Sequence, residues 1–326
     1  MPGPPSAVAA IRHAVRAALV DRPPGSVVLA ACSGGADSLA LAAALAFEAP
    51  RLTLRAGAVV IDHGLQPGSP EVAETAATQC RSLGMEPVEV LRVEVRAGGG
   101  PEDAARQARY AALANAATRH TVAGERALVL LGHTRDDQAE QVLLGLARGS
   151  GARSLSGMPP ARDCFARPLL GVTREQTEQA CAAAGLAPWH DPHNTDTGYA
   201  RVRARAALPM LDAALGPGLP AALARSAALL REDAELLDLM ARQARSEVGA
   251  PGEPIPVSGL APLHPALRRR VWLLLAADAG CQPLTMTHVE ALDALVTRWR
   301  GQGPLDLPGG VRAQRQDGRL LFTPVR

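Results

Sequence analysis

The stretch from Val27 to Leu41, VVLAACSGGADSLAL, constrains this chain more than any other. Its apolar, partly β-branched start predicts a strand, the adjacent Gly34 and Gly35 a tight turn, and its alanine- and leucine-rich end a helix that begins at once. Paired glycines let the backbone turn sharply and come close to a ligand. The exposed N–H groups of the next helix's first turn, with the Ser33 and Ser38 hydroxyls beside them, then form a socket for an anion. A phosphate suits that socket. Two common phosphate loops are excluded by inspection. Walker A requires a lysine before Ser or Thr, and all 34 Lys+Arg positions here are Arg. The dinucleotide fingerprint requires a third glycine where this chain has Ser38.

Further strand patterns at Leu54 to Ile61, Val88 to Val95, Leu128 to Leu131 and around Cys164 to Leu170 alternate with helical patterns at Ser6 to Val20, Ser38 to Phe47, Glu71 to Leu83, from Pro101 onward, and Thr173 to Ala184. Such alternation predicts an α/β fold with a doubly wound parallel sheet, over residues 1–215. Gly216-Pro217-Gly218-Leu219-Pro220 reads as a linker to a smaller, mainly helical domain, 216–326. In that second part Ala221 to Val248 is one long helical pattern, Pro251 to Pro256 a loop, and Leu305 to Thr323 a short β-ribbon.

Composition narrows the partners. A formal net charge of +2 is too small for the whole molecule to attract nucleic acid, so RNA contact must come from local arginine clusters. Aromatic content of 2 % argues against a surface that stacks many unpaired bases. Arg201, Arg203 and Arg205 form one candidate cluster, and Arg268-Arg269-Arg270 is a charge run more in keeping with a solvated helix face. The 5 cysteines are scattered with no CxxC pair, which suggests reduced, mostly buried thiols. No apolar run approaches the ~20 residues of a membrane helix. A cytoplasmic protein without membrane contact is expected.

The second chemical cluster is Gly132-His133-Thr134-Arg135-Asp136-Asp137-Gln138-Ala139-Glu140, at a strand end and a helix start. Asp137 and Glu140 are three apart and share a helical face. Acids at a helix start commonly serve its dipole. With His133 and Gln138 added, the group suits a cation, either Mg²⁺ attending phosphates or an ammonium substrate. Upstream, Arg106 shares a face with Arg109 and Tyr110. Asp62 and His63 end the second strand, where ligands of open α/β sheets bind.

SGGADS (33–38) resembles the signature of the PP-loop ATP pyrophosphatases. With DHGL (62–65), EDAARQARY (102–110), GHTRDDQAEQVLLGLARGSG (132–151), RPLL (167–170) and WHDPHNTDTGYARVRARAALPML (189–211), the chain resembles the tRNA(Ile)-lysidine synthase family across nearly its whole length. It departs from the family pattern at Thr134, where a second histidine is common, at Gln141, where threonine is, and near Val202, where an asparagine is. It resembles the shorter members, without an additional C-terminal domain. The resemblance implies an enzyme that uses ATP to adenylate the C2 oxygen of the wobble cytidine of an isoleucine tRNA with a CAU anticodon. The amine of free L-lysine then displaces AMP. ATP and Mg²⁺ are the implied cofactors, and a homodimer is a possible assembly.

By the same resemblance, Ser33, Gly34, Gly35, Ala36 and Ser38 would hold phosphates. Asp37 would bind Mg²⁺ or place the pyrophosphate, and Asp62 and His63 would lie by the adenosine. Asp137 and Glu140, with Asp136 beside them, are candidates for gripping lysine, and Arg106 and Arg109 for facing its carboxylate or a phosphate. His133 would contact the phosphates or the base, and Arg201 and Arg205 the tRNA. Asp37, His133, Asp137 and Glu140 are the expected catalytic set, with binder and base unseparated. Neutralising the lysine amine at pH 7 costs about 4–5 kcal/mol, so an orienting carboxylate and a dry site both help. The rivals are a PP-loop tRNA thiolase, which the scattered cysteines disfavour, and a non-catalytic nucleotide- or RNA-binding protein.

Overall fold

A computed structural model describes residues 3–62, 64, 68–93, 101–191, 196–250 and 252–325, without the side chains of 101–103. His63, and the glycine loop expected at 98–100, lie outside the described residues. The chain divides into two compact units, 1–230 and 231–326.

In the first unit the elements run α1 (Ser6–Leu19), β1 (Val27–Cys32), α2 (Ala36–Glu48), β2 (Arg55–Asp62), α3 (Ser69–Ser82), β3 (Val88–Arg92), α4 (Pro101–Arg119), β4 (Leu128–Leu131), α5 (Arg135–Ala147), α6 (Ala152–Leu155), β5 (Ala161–Arg162), β6 (Phe165–Ala166), α7 (Arg174–Ala183) and α8 (Ala200–Leu215). The sheet order is β3-β2-β1-β4-β6-β5, parallel throughout except for β5, which pairs antiparallel with β6 at the edge. The extended segment expected around Cys164 to Leu170 is thus only two residues of strand followed by a 3₁₀ turn at Pro168–Gly171.

Burial on both faces explains why β1 reads as a continuous apolar run. Val28, Ala30 and Cys32 face a core built with α1, α2, α3 and α7, while Val27 and Leu29 face a second core with Leu113, Ala116 and Ala117 of α4. Gly57 shows how tight the sheet is: a Cβ there would lie 2.7 Å from the Pro87 carbonyl oxygen and 2.8 Å from Leu29 Cδ2. On α1, Ile11, Val15 and Leu19 recur at i+4 spacing and are fully buried.

The chain crosses from β3 back past β1 to β4, so its winding reverses between β1 and β4. This switch point is where ligands of open α/β sheets bind, outside the strand C-termini. The loops leaving those two strands are Ser33–Gly35 and Gly132–Thr134. Gly132 packs against the first turn of α2, where a Cβ on it would lie 3.1 Å from the Asp37 carbonyl and the Ser38 amide nitrogen.

The long helix α9 (Leu219–Glu247) is followed by β7 (Ile255–Pro256), α10 (Val257–Leu260), α11 (Pro265–Asp278), α12 (Met286–Thr297), β8 (Leu305–Leu307), β9 (Val311–Gln316) and β10 (Arg319–Pro324). The expected ribbon is a four-stranded antiparallel sheet, because Ile255 and Pro256, read from sequence as loop, add to β10. Trp272, Leu260 and Leu292 anchor this unit's core. Among the described residues no single helix is long and apolar enough to cross a membrane.

Candidate active site

The loop after β1 is held by its own hydroxyls. Ser38 Oγ donates to the Gly35 carbonyl at 2.9 Å and accepts the Ser33 amide at 3.1 Å, with Ser33 Oγ 3.3 Å away. Gly34 has φ +82°, which a side chain resists, and a Cβ there would meet Ala76 Cβ at 3.3 Å. The Gly35 N-cap has no side-chain cap. The first-turn amides of α2 therefore point outward with the positive end of the helix dipole. Ser38 shapes the socket rather than offering a free hydroxyl, and the main chain of Gly34, Gly35 and Ala36 supplies the donors.

Asp37, in that first turn, leans toward α7. Thr177 Oγ1 donates to Asp37 Oδ1, and Arg174 Nε lies 3.7 Å from Oδ2. Burial pushes the Asp37 carboxyl up to about 6; the Thr177 hydrogen bond opposes this, and the charge of Asp137 adds to it.

The helix α5 starts on a capping box: the Thr134 amide donates to Asp137 Oδ2 at 2.8 Å, and Thr134 Oγ1 lies 3.0 Å from the same oxygen. Asp137 thus also performs the helix-start duty that acids in this position often have. Its other oxygen takes Arg174 Nη2 at 3.1 Å. Asp136 Oδ2 accepts the Arg174 backbone amide at 2.9 Å. Glu140, 1 % exposed, accepts Arg205 Nε at 2.7 Å on one oxygen and Arg205 Nη2 at 3.4 Å on the other, with Arg174 Nη1 3.7 Å away. Gln138 is structural, exchanging hydrogen bonds with both backbone groups of Met158.

A second group of opposite sign surrounds Tyr110. The Arg167 guanidinium donates to its hydroxyl at 3.2 Å and Arg106 at 3.5 Å, while Arg109 stands 5.6 Å from the ring centroid. Among the described residues none of the three pairs with a carboxylate, and the buried Nε atoms of Arg109 and Arg167 have no hydrogen-bond partner. Burial opposes ionisation of the Tyr110 phenol, but the Arg167 hydrogen bond and the three charges outweigh it and hold its pKa below the ordinary value. His133 senses both groups. Burial pushes its imidazole down to about 3, against the charge of Asp137 and with those of Arg109, Arg167 and Arg106. Among the described residues its buried Nδ1 has no hydrogen-bond partner.

Of the residues singled out from sequence, the loop 33–38, Asp136, Asp137, Glu140 and Arg205 are linked directly or through Arg174. Arg201 lies at the margin, with Nη2 3.4 Å from Gln141 Oε1. Asp62 ends β2 buried, its Oδ1 holding the turn into α3 through the Gly64 amide at 2.9 Å and Ser69 Oγ at 2.7 Å. The charge run in the second unit is spent on structure: Arg268 is buried on Asp293 at 2.6 Å, and Arg270 pairs with Asp238 at 2.9 Å. Sequence reasoning missed Arg174 and Thr177 on α7, and Arg167. One signal was available, since a cation in a helix's first turn runs against the dipole and needs a reason.

A PP-loop domain model matches residues 9–211, and a TilS substrate binding domain model matches residues 255–321. The chain is 55 % identical over 326 residues to the tRNA(Ile)-lysidine synthase of Thermobifida fusca (strain YX), covering 99 % of each. The chain belongs to the tRNA(Ile)-lysidine synthase family. Other synthases of the family are similarly near: that of Salinispora arenicola (strain CNS-205) is 55 % identical, with 97 % of this chain and 96 % of the relative covered. That of Streptomyces coelicolor (strain ATCC BAA-471 / A3(2) / M145) is 50 % identical over 98 % of this chain and 99 % of the relative. Among solved structures, the U34-tRNA thiolase NcsA from Methanococcus maripaludis with its [4Fe-4S] cluster superposes with a TM-score of 0.57 at 17 % identity, over 69 % of this chain and 80 % of that one. This likeness shows a shared fold over the matched part of the chain. Among the described residues no three His, Cys, Asp or Glu side chains gather as a metal-binding group, and all five cysteines are free.

Proposed function

We propose that this chain ligates free L-lysine to C2 of the wobble cytidine of an isoleucine tRNA with a CAU anticodon, releasing AMP and pyrophosphate. The observation that carries the reading is one strand-end surface with two signs of charge: an uncapped anion loop and four carboxylates on one side, and on the other three guanidiniums that have no carboxylate partner among the described residues. A zwitterion with a second amine fits such a surface. Its ammonium belongs among Asp136, Asp137 and Glu140, and its carboxylate with Arg106, Arg109 and Arg167.

The residues suit the two steps in turn. Amides of 34–38 meet charge that builds on the β- and γ-phosphates as the C2 oxygen takes the adenylyl group. Two carboxylates more than guanidiniums in the acid cluster favour an added cation. Mg²⁺ would be held by Asp37, a hard oxygen whose charge is otherwise penalised by burial, together with the bound phosphates. Bound there, Mg²⁺ would screen the leaving pyrophosphate. As the lysine amine attacks C2 and AMP leaves, the proton it sheds passes to a carboxylate of its own grip, Asp137 or Glu140. Burial holds the His133 ring down at about 3, too weak a base for that step, and leaves it neutral to hydrogen-bond the phosphates or the cytosine. Residues 1–215 form the catalytic domain in this reading and 216–326 the tRNA-binding domain, in the cytoplasm, with a homodimer as a possible assembly.

The test is turnover. Purified protein with ATP, Mg²⁺, labelled lysine and a tRNA(Ile) transcript bearing CAU should place one label at C34 per AMP and pyrophosphate released. Label only from a sulfur donor, or ATP binding without transfer, would sink the proposal.

A further inference from the structure

The acid cluster is already partly neutralised from within. One guanidinium, that of Arg174, serves three of its carboxylates: Asp137 at 3.1 Å through Nη2, Asp37 at 3.7 Å through Nε and Glu140 at 3.7 Å through Nη1. The same residue's amide holds Asp136. These contacts differ in kind from that of Arg205, whose Nε and Nη2 both engage Glu140. An arginine that grips one carboxylate by two parallel bonds is locked, whereas one spread over three acids with one good hydrogen bond is held mainly by charge. Arg174 also stands at the first position of α7, where the helix dipole repels a cation, and its side chain is 26 % exposed.

The guanidinium lies beside Asp37, in the first turn of α2 directly after the anion loop. Phosphate oxygens on the loop amides would come within reach of this long side chain, and a polyphosphate is a better partner for a guanidinium than a half-buried carboxylate. We propose that Arg174 is an exchangeable counter-ion. It occupies the substrate-amine position in the free enzyme and swings to the polyphosphate when nucleotide binds, which leaves the acids to the incoming ammonium. Arg174 is thereby a positioning residue that makes nucleotide and amino-acid binding mutually favourable, since any such coupling is reciprocal. The inference rests on the reading of the site given above.

The experiment measures lysine binding by calorimetry at fixed Mg²⁺, with and without an ATP analogue carrying a methylene bridge between the α- and β-phosphates. In the native enzyme the analogue is expected to tighten lysine binding about tenfold. In Arg174→Met, which keeps length without charge, lysine is expected to bind without analogue about as well as it does to the native enzyme with it, and the coupling factor falls to about one. Arg174→Lys should retain part of the coupling. A native enzyme whose lysine affinity ignores the analogue would overturn the proposal even if neither variant folds. So would tenfold coupling surviving in Arg174→Met, or loss of lysine binding in that variant in both conditions. If the native enzyme transfers lysine to tRNA but shows no coupling, the counter-ion role alone fails; if it transfers none, both readings fall.

Discussion

Replacing Asp37 by asparagine should make the ligand-free protein more stable while abolishing turnover. In the fold the Asp37 carboxyl is pushed up from 3.8 to about 6, chiefly by burial. That difference corresponds to about 3 kcal/mol that the folded state forfeits when the group is ionised. Water reaching the exposed 24 % of the side chain reduces the figure, so a net gain of about 1–3 kcal/mol is expected for Asp37→Asn at pH 7.5. Asparagine can still accept from Thr177. A carboxyl raised in the fold contributes stability that is fully present below 3.8 and is lost as pH rises through about 6. The advantage of the variant should therefore be small at pH 4.5, grow to pH 6 and level off above it. Thermal denaturation followed by circular dichroism from pH 4.5 to 8, with divalent cations chelated, reads the effect as a rise of several °C, at about 2–4 °C per kcal/mol for a unit of this size. A native protein more stable than Asp37→Asn at pH 7.5, or a difference that does not change with pH, would refute the reasoning.

Arg205→Ala leaves Glu140 buried with only Arg174, 3.7 Å away, and should cost about 2–4 kcal/mol in urea denaturation. Combining it with Glu140→Gln should cost less than the sum of the two single changes. Gly34→Ala forces a side chain into φ +82° against Ala76, with an expected loss of about 1–2 kcal/mol and a raised KM for ATP. The imidazole signals of His133 should not titrate in NMR between pH 5 and 8, because burial keeps the ring neutral throughout that range. Arg268→Ala removes a buried partner of Asp293 and should lower Tm, while KM for tRNA of the folded protein is unchanged.

The fold was legible wherever local pattern and tertiary environment agree. The β1 run is apolar because both its faces are covered, and Gly34 marks the turn because its φ of +82° suits a residue without a side chain, while Gly35, at φ −74°, needs no such freedom. Ile255 and Pro256 escaped because two residues carry no period; their strand character comes from pairing with Arg319 and Leu320, far along the chain. At the site, Asp136, Asp137 and Glu140 were visible as clustered acids and Asp37 as part of the loop, but their shared partner was not. Arg174 is 137 residues from Asp37 in the chain, and no spacing rule connects them. Ser38 was read as a phosphate donor, yet its hydroxyl closes the loop on Gly35. The triplet Arg268-Arg269-Arg270 looks alike in sequence, while in the structure the first is buried on Asp293 and the second is exposed.

Crystals grown with the methylene-bridged ATP analogue and lysine test the central claim most directly. The expected result is β- and γ-phosphates on the amides of residues 34–38 and the lysine ammonium between Asp137 and Glu140, with its carboxylate toward Arg106, Arg109 and Arg167. A triphosphate bound away from the loop after β1, or a lysine whose amine lies outside those carboxylates, would contradict it.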